Sequence, residues 1–175
     1  MMTLVLGGEK SGKSDYALSL LAAAPRPHAF VATGRALDPA FAAQIALHKK
    51  NRPAGLALAE TILELPETLV DLRPRYAAIL ADSLDFWLFS CLRAGVLGER
   101  AAALESVLAA WEGPELILAG AEAGLGPMAS DAFTREFARA LGALNQMAAR
   151  RAGRAVLVVA GLPLTLKEPV RERAQ

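Results

Sequence analysis

The sequence predicts an α/β fold in which helices flank a doubly wound, mostly parallel sheet. Two observations carry this prediction. Short runs that are apolar on both faces recur along the chain, as in strands buried between two helical layers. Helix-length segments with alanine and leucine at helical spacing separate these runs. Such alternation is typical of βαβ units around a parallel sheet.

The strand and helix segments follow from these two patterns. Five runs have the length and composition of buried strands: Thr3–Leu6, His28–Ala32, Ala77–Ala81, Glu115–Ala119 and Ala155–Ala160. Five segments predict helices, with Gly or Pro near most of their boundaries: Ser14–Ala23, Pro39–Lys50, Ser83–Ala94, Arg100–Trp111 and Asp131–Arg151. The stretch Asn51–Leu65 is less regular and receives no element.

Length, charge and cysteine content exclude several classes of protein. The 175 residues are enough for one domain, which we expect to span residues 1–175. A formal net charge of +1 without a long basic block argues against nucleic acid as a partner. The single cysteine, Cys91, allows neither a disulfide framework nor a cysteine metal site. Without a signal sequence or an apolar run of about 20 residues, we expect a cytoplasmic protein with no membrane span.

The most informative motif directly follows the first strand. It fits G-x-x-x-x-G-K-[ST], and its residues are Gly7, Gly8, Glu9, Lys10, Ser11, Gly12, Lys13 and Ser14. A glycine turn between a strand and a helix aims backbone N–H groups and a helix N-terminus at one point, which is an anion site. Lys13 would reach the β- and γ-phosphates of a nucleotide, and Ser14 would hold Mg²⁺. The alternative is a glycine turn that matches by chance. The motif predicts a P-loop NTPase fold.

Asp82 is the candidate for the second acid of a phosphate site. It ends the apolar run before it, so its carboxylate is expected at the carboxyl edge of the sheet, at the end of a strand neighbouring the P-loop strand. There it would complete the Mg²⁺ shell directly or through water. An N-cap for the helix near Ser83 is the alternative role, and the two roles are compatible. We interpret Asp85, one turn further on, as a solvated helix residue.

The chain has two histidines, and they differ in context. On spacing alone, His48 lies on an apolar helix face and is most simply structural. Lys49, Lys50 and Arg52 nevertheless gather positive charge beside it. Positive neighbours lower an imidazole pKa, favour a neutral nucleophile and stabilise an attacked phosphate. His28 starts a strand, and we interpret it as structural.

Taken together, the motifs resemble those of the bifunctional adenosylcobinamide kinase and adenosylcobinamide-phosphate guanylyltransferase family, nearly from end to end. The family patterns G-G-x-R-S-G-K-S, A-T-[SAG] and H-x-x-x-R-P correspond to Gly7–Ser14, Ala32–Gly34 and His48–Pro53. A glutamate and a strand-end acid correspond to Glu60 and Asp82. Three further patterns are N-E-V-G-x-G, R-x-F-x-x-x-x-G-x-x-N-Q and G-x-P-x-x-x-K. They correspond in order to residues 121–126, to Arg135 through Gln146, and to Gly161, Pro163 and Lys167.

The resemblance implies two reactions, with GTP and ATP as co-substrates and Mg²⁺ as cofactor. A nucleoside triphosphate phosphorylates the aminopropanol hydroxyl of adenosylcobinamide. His48 then becomes guanylylated by GTP, and the phosphorylated cobinamide displaces it to give adenosylcobinamide-GDP. The resemblance further implies a homo-oligomer, a trimer in this family. It assigns nucleotide contacts beyond the phosphate loop to Ala32, Thr33, Gly34, Lys49, Lys50, Asn51, Arg52, Glu60 and Asp82.

Some positions depart from the family patterns and keep alternatives open. Glu9 puts a carboxylate in the phosphate loop, and Ala121 replaces the asparagine of N-E-V-G-x-G. Gln44 replaces an arginine, while Leu56 and Leu58 stand where the family has tryptophan and threonine. One alternative is therefore a P-loop small-molecule kinase without guanylyltransferase activity. The other is a nucleotide-binding relative that has lost catalysis.

Overall fold

The computed structural model describes residues 1–33, 56–126 and 130–168. They form one seven-stranded sheet in the order β3-β2-β4-β5-β1-β6-β7. Strands β1 to β6 run parallel, and β7 pairs antiparallel with β6. The strands are β1 Met2–Gly7, β2 His28–Ala32, β3 Ala57–Glu60, β4 Ala78–Asp82, β5 Glu115–Ala121, β6 Arg154–Val159 and β7 Leu162–Lys167. The expected mostly parallel sheet is confirmed.

Helices cover both faces of this sheet. The described helices are α1 Lys13–Ala23, α2 Leu65–Leu72, α3 Leu84–Arg93, α4 Leu97–Ala109 and α5 Ala132–Arg151. Helix α1 packs Ala17 and Leu21 against a buried cluster that includes Val5 and Ala119. The other four helices pack on the opposite face, around the fully buried Trp87. The buried apolar area on both faces accounts for strands that are apolar throughout.

The elements agree with the sequence patterns in the interior of the sheet. All five predicted strands are present; β2 has the predicted bounds, and the ends of the other four are shifted by at most two residues. The predicted helices at 14–23, 83–94, 100–111 and 131–151 correspond to α1, α3, α4 and α5, and the one at 39–50 lies outside the described residues. Strands β3 and β7 and helix α2 were not predicted.

The strand order determines which chain segments meet. Because β1 to β6 are parallel, the segments that follow their carboxyl ends gather at one edge of the sheet. The motif after β1 and the acid that ends β4 both lie at this edge. Within the described part of the chain, no helix is long and apolar enough to cross a membrane.

Candidate active site at the carboxyl edge of the sheet

The glycine-rich motif forms a compact turn between β1 and α1. The N–H of Ser11 donates to Gly8 O at 3.3 Å, which closes the turn. Gly12 is the N-cap of α1, with a φ of 91° that is readily available to glycine. Lys13 opens the helix, and its Nζ donates to Gly8 O at 3.4 Å. The motif therefore has the strand, turn and helix context that a phosphate loop requires.

The turn between β6 and β7 supports this loop from outside. The N–H of Gly161 donates to Ser11 O at 2.8 Å. A Cβ on Gly12 would lie 3.1 Å from the Cα of Gly161, so the two backbones pass each other closely. Ala160 and Gly161 both have positive φ, at 52° and 78°, as a two-residue hairpin turn demands. The phosphate loop is thus held between β1, α1 and this hairpin.

The two predicted acids lie in one row across the sheet. Ala32 pairs in register with Glu60 on one side and with Asp82 on the other. The two carboxylate residues are therefore about 10 Å apart, two strand spacings, with a small alanine between them. Alternation along β4 puts Asp82 on the face of α1, since Leu80 packs on that face. The row lies on the same side of the sheet as the helix that the phosphate loop opens.

Asp82 differs from its predicted placement in two respects. It does not end a strand adjacent to β1, because β5 lies between β4 and β1. Asp82 therefore sits one strand further from the phosphate loop than expected. It is also not the N-cap of α3, a position that Ser83 occupies. The capping alternative for Asp82 is wrong.

Thr33 joins the ends of β2 and β4. Its hydroxyl donates to Ser83 O at 2.6 Å and accepts from Ser83 N at 2.8 Å. The N–H of Thr33 also donates to Asp82 O at 3.3 Å. Thr33 is fully buried, so its hydroxyl hydrogen is used inside the protein. Its position fixes Asp82 relative to β2.

The end of β3 is anchored by the loop that follows Glu60. The carbonyl oxygen of Leu63 accepts from Trp87 Nε1 at 3.0 Å and from Arg100 Nε at 3.1 Å. Arg100 also forms a two-pronged ion pair with Glu67 at 2.7 and 2.9 Å. Hydrogen bonds from its own backbone N–H and from that of Leu63 lower the pKa of the Glu64 carboxyl. The hydrogen bonds to Leu63 O and the ion pair of Arg100 with Glu67 hold the loop after Glu60, and so keep the exposed Glu60 at a fixed place at the carboxyl edge of the sheet.

Asp85 is not the solvated helix residue that the sequence suggested. It is partly buried, and its Oδ1 accepts from the N–H of Ala121 at 2.9 Å. The side-chain amide of Asn145 donates to Ala121 O, also at 2.9 Å. Both side chains therefore hold the last residue of β5.

Several predicted residues lie outside the described residues: Gly34, His48, Lys49, Lys50, Asn51 and Arg52. Their predicted roles stay predictions. The other histidine is described, and its Nε2 donates to Ala24 O at 2.9 Å. The structural interpretation of His28 is confirmed.

The donor set at this edge suits a magnesium ion that is shared with a nucleotide. In the described ranges, no group of three or more His, Cys, Asp or Glu side chains could hold a metal by itself. Mg²⁺ commonly binds one or two protein oxygens together with substrate phosphates and water. The Ser14 hydroxyl near the start of α1 and the Asp82 carboxylate are oxygen donors of that kind.

Comparison with known proteins identifies the family. The family model described as cobinamide kinase / cobinamide phosphate guanyltransferase matches residues 3–166. The chain belongs to this family. The expectation of an enzyme of the cobinamide kinase and guanylyltransferase type is thereby confirmed, and the comparisons favour neither alternative.

Two relatives of the cobinamide kinase family match along their whole length and along nearly all of this chain. The bifunctional adenosylcobalamin biosynthesis protein CobP of Pseudomonas aeruginosa is 36% identical over 176 residues, covering 97% of this chain and 100% of that protein. The corresponding CobU protein of Salmonella typhimurium is 30% identical over 187 residues, covering 95% and 100%. The matched region of the family model includes the segment that contains His48.

A more distant likeness concerns the fold alone. An ATPase from the type III secretion system of pathogenic bacteria superposes with a TM-score of 0.57 at 9% identity. The match covers 94% of this chain and 56% of that one, so this chain spans little more than half of the ATPase. The likeness agrees with the predicted P-loop NTPase fold.

The structure gives physical roles to patterns of the cobinamide kinase family that residue chemistry alone did not explain. Gly161 of the closing pattern supports the phosphate loop, as described above. Lys167 of the same pattern donates to three carbonyl oxygens at the end of α5, the shortest contact being 2.6 Å to Ala152 O. A glycine directly after an apolar run and a lysine beyond a helix end are the sequence signals that could have found them.

Proposed function

We propose that this enzyme catalyses two consecutive reactions of cobalamin biosynthesis at the carboxyl edge of its sheet. It phosphorylates adenosylcobinamide and then transfers GMP from GTP to adenosylcobinamide phosphate. The observation that carries this proposal is the gathering of the phosphate loop, Asp82 and Glu60 at one edge, in a chain matched by the family model over residues 3–166.

Residues of the phosphate loop and Asp82 serve the kinase reaction. Backbone N–H groups of the loop and the start of α1 bind the triphosphate. Lys13 neutralises charge on the β- and γ-phosphates as the γ-phosphoryl group moves to the oxygen of the cobinamide hydroxyl, while the nucleoside diphosphate leaves and the hydroxyl proton passes to solvent. Ser11 Oγ is buried, and no group within the described residues hydrogen-bonds to it. A phosphate oxygen is a suitable acceptor for this hydroxyl.

Ser14 and Asp82 hold Mg²⁺ in this proposal. When bound, the ion neutralises negative charge on the phosphates. The Asp82 backbone is fixed by the contact between Thr33 N and Asp82 O. This support fits a residue that must present an oxygen atom at a fixed place.

His48 carries the guanylyltransferase reaction. Its neutral imidazole attacks the α-phosphorus of GTP, forming an N–P bond as pyrophosphate leaves. The phosphate oxygen of adenosylcobinamide phosphate then attacks the same phosphorus, and histidine leaves to give adenosylcobinamide-GDP. The covalent intermediate divides one difficult transfer into two easier ones. Lys49, Lys50 and Arg52 stabilise the negative charge that develops on the attacked phosphate.

Guanine selectivity is assigned to Glu60. Its carboxylate accepts from the N1–H and the 2-amino group, the donors that distinguish guanine from adenine. Its support is its exposed position at the rim, in register with Ala32 and two strands from Asp82. Ala32, Gly34 and Asn51 complete the nucleotide contacts in this proposal. Thr33, expected to contact the nucleotide, is fully buried with its hydroxyl and N–H bonded to Ser83 and Asp82, so its role here is to hold the ends of β2 and β4 together.

Two departures from the family patterns, Glu9 and Leu58, are compatible with full activity. Glu9 is exposed, so its carboxylate can stay in water while the loop binds phosphate. Leu58 is 47% exposed on the rim next to Glu60 and offers apolar surface to a substrate. In this proposal the enzyme also forms a homo-oligomer, a trimer as the family resemblance implies. The exposed leucines of β7, Leu162, Leu164 and Leu166, are apolar surface of the kind that association covers.

Product analysis tests the proposed function. Purified enzyme is incubated with Mg²⁺, GTP and ATP and with adenosylcobinamide or adenosylcobinamide phosphate. The first substrate should yield the phosphate and then the GDP derivative, and the second should yield the GDP derivative with one pyrophosphate released. Formation of the phosphate alone would reduce the enzyme to a kinase. No turnover of either corrinoid would refute the proposed substrates.

A further inference from the structure

Strand β5 continues past the end of β4, so among residues 1–33, 56–126 and 130–168 part of its backbone has no strand partner on one side. Asp82, the last residue of β4, pairs with Ala119, while Gly7 at the end of β1 pairs with Ala121. The N–H of Glu122 donates to Gly7 O at 3.1 Å, toward β1. Backbone groups of successive strand residues point to opposite sides, so those of Ala121 point toward the side of β4.

Two side chains make the hydrogen bonds to Ala121 on this side. Asp85 Oδ1 accepts from Ala121 N, and Asn145 Nδ2 donates to Ala121 O, both at 2.9 Å. Asn145 is 5% exposed and Asp85 is partly buried, so water has limited access to these bonds. Unlike Asn145, which comes from the distant helix α5, Asp85 follows Asp82 by three residues, in the first turn of α3.

The Asp85 contact therefore connects the end of β4 with the phosphate loop. Asp85 holds Ala121, and the next residue, Glu122, is hydrogen-bonded to Gly7 at the start of the loop. On the other flank, Thr33 holds Ser83 through two hydrogen bonds. Thr33 thus fixes the end of β4 to β2. Asp85 fixes it to the end of β5, the strand that lies between β4 and β1.

We propose that Asp85 is a positioning residue for phosphoryl transfer: its hydrogen bond to Ala121 sets the place of Asp82 relative to the phosphate loop. This rests on the proposed role of Asp82 as a Mg²⁺ ligand. A misplacement of about 1 Å at a reacting group can reduce a rate about a hundredfold, so a contact that fixes this spacing affects catalysis without touching substrate. The positioning role requires a hydrogen-bond acceptor at the place of Asp85 Oδ1, and it requires that this acceptor keep its distance from the backbone of α3.

The variants separate positioning from stability. Asp85→Ala removes the acceptor, Asp85→Glu displaces it by one methylene, and Asp85→Asn keeps an oxygen that can take the Oδ1 position. Lys167→Met is the control for stability. Lys167 donates to Ala152 O at the end of α5 and pairs with Ala155 near the start of β6, so it lies at the edge of the sheet opposite the candidate active site. Asp82→Asn tests the role on which the proposal depends. All are made in the full chain.

The readouts are GTP affinity with and without Mg²⁺ by calorimetry, kcat and KM for adenosylcobinamide phosphorylation, and the free energy of unfolding. Asp85→Ala and Asp85→Glu should lower kcat at least tenfold and reduce the gain in GTP affinity that Mg²⁺ provides. Their Mg²⁺-free affinity should stay within about twofold of wild type. Asp85→Asn should remain within about threefold of wild type in kcat. Lys167→Met should lose stability while keeping kcat and the Mg²⁺ gain.

Two results would overturn the role of Asp85. In the first, Asp85→Ala and Asp85→Glu keep the wild-type kcat and the wild-type increase in GTP affinity on adding Mg²⁺. In the second, kcat falls as far in Asp85→Asn as in Asp85→Ala. Asp85→Glu decides the question if Asp85→Ala does not fold. If Asp82→Asn abolishes the Mg²⁺ gain while the Asp85 variants keep it, only the positioning role is wrong. If Asp82→Asn itself leaves the Mg²⁺ gain intact, the proposed metal site is wrong.

Discussion

The backbone N–H of Gly161 donates to the carbonyl oxygen of Ser11 across 2.8 Å, so a hairpin turn supports the phosphate loop. Gly161 has a φ of 78°, which an alanine adopts only with strain of about 1 kcal/mol. Gly161→Ala should lower the free energy of unfolding by about that amount and weaken GTP binding severalfold. The measurements are chemical denaturation and calorimetry.

Gly95 provides the matched control for this prediction. It has a φ of 72° in the turn between α3 and α4, and a Cβ there would meet no atom within 4 Å. Gly95→Ala should cost a similar free energy of unfolding and leave GTP affinity unchanged. Equal GTP affinity in both variants would show that the hairpin does not support the nucleotide site.

Lys13 supplies the positive charge of the phosphate loop. Lys13→Met keeps the apolar stem and removes the charge, so the turn from Gly8 to Gly12 should remain folded. We expect kcat for phosphorylation to fall at least a hundredfold, since the charge on the transferring phosphoryl group is no longer neutralised. Rapid-quench assays with labelled triphosphate measure this. A variant with wild-type turnover would remove Lys13 from the reaction.

Glu60 accounts for guanine selectivity in the proposed function. Glu60→Gln replaces one of the two carboxylate acceptors by a donor, which faces the guanine donors without a match. The preference for GTP over ATP in competitive binding should fall at least tenfold. Glu64→Gln, which changes a nearby exposed acid, should leave the preference unchanged. If both variants discriminate like wild type, another group reads the base.

Asp131 gives the protein a component of stability that depends on pH. It is the N-cap of α5, and hydrogen bonds from the side chain and backbone of Thr134 lower the pKa of its carboxyl below the usual 3.8. A lowered pKa means that the charged form is favoured by folding. The stabilisation is therefore fully present above about pH 4 and is lost as the pH falls through the lowered value.

Two substitutions test this cap. Asp131→Asn retains an N-cap acceptor, so stability at pH 7 should stay close to wild type while the loss between pH 4 and pH 2 becomes smaller. Asp131→Ala should be less stable than both wild type and Asp131→Asn at pH 7, because the N-cap acceptor for the Thr134 N–H is lost. Urea denaturation across this pH range provides the values. If the free energy of unfolding of Asp131→Asn fell below pH 4 as steeply as that of wild type, Asp131 would not be the source of this pH dependence.

Sequence patterns predicted the interior of the fold and missed its margins for physical reasons. The inner strands are buried on both faces, and their continuous apolar runs are easily distinguished. Strand β3 has only four residues, and all six residues of β7 are exposed. Neither strand therefore has the continuous apolar run that marks a strand buried on both faces. The alternation of Leu162, Leu164 and Leu166 after a glycine was a usable signal for β7. The spacing of Leu65, Leu69 and Leu72 likewise indicated α2.

The site was predictable where motifs carry chemistry, and less so where partners are distant in sequence. The phosphate loop and the strand-end position of Asp82 followed from local patterns. That β5 lies between β4 and β1 depends on sheet order, which local patterns do not encode. Local patterns also predicted Asp85 to be a solvated residue, because its hydrogen-bond partner Ala121 is 36 positions away in the sequence.

The most direct test of the account is covalent labelling of His48. The protein is mixed with Mg²⁺ and GTP labelled at the α-phosphate, and the labelled peptide is sequenced. We predict one GMP per chain on His48 through a phosphoramidate bond that acid breaks and alkali spares. His48→Ala should remove the label and retain phosphorylation of adenosylcobinamide, while His28→Gln should keep the label. Absence of label on the wild-type protein, under conditions where GTP binding is demonstrated, would contradict the guanylyltransferase mechanism.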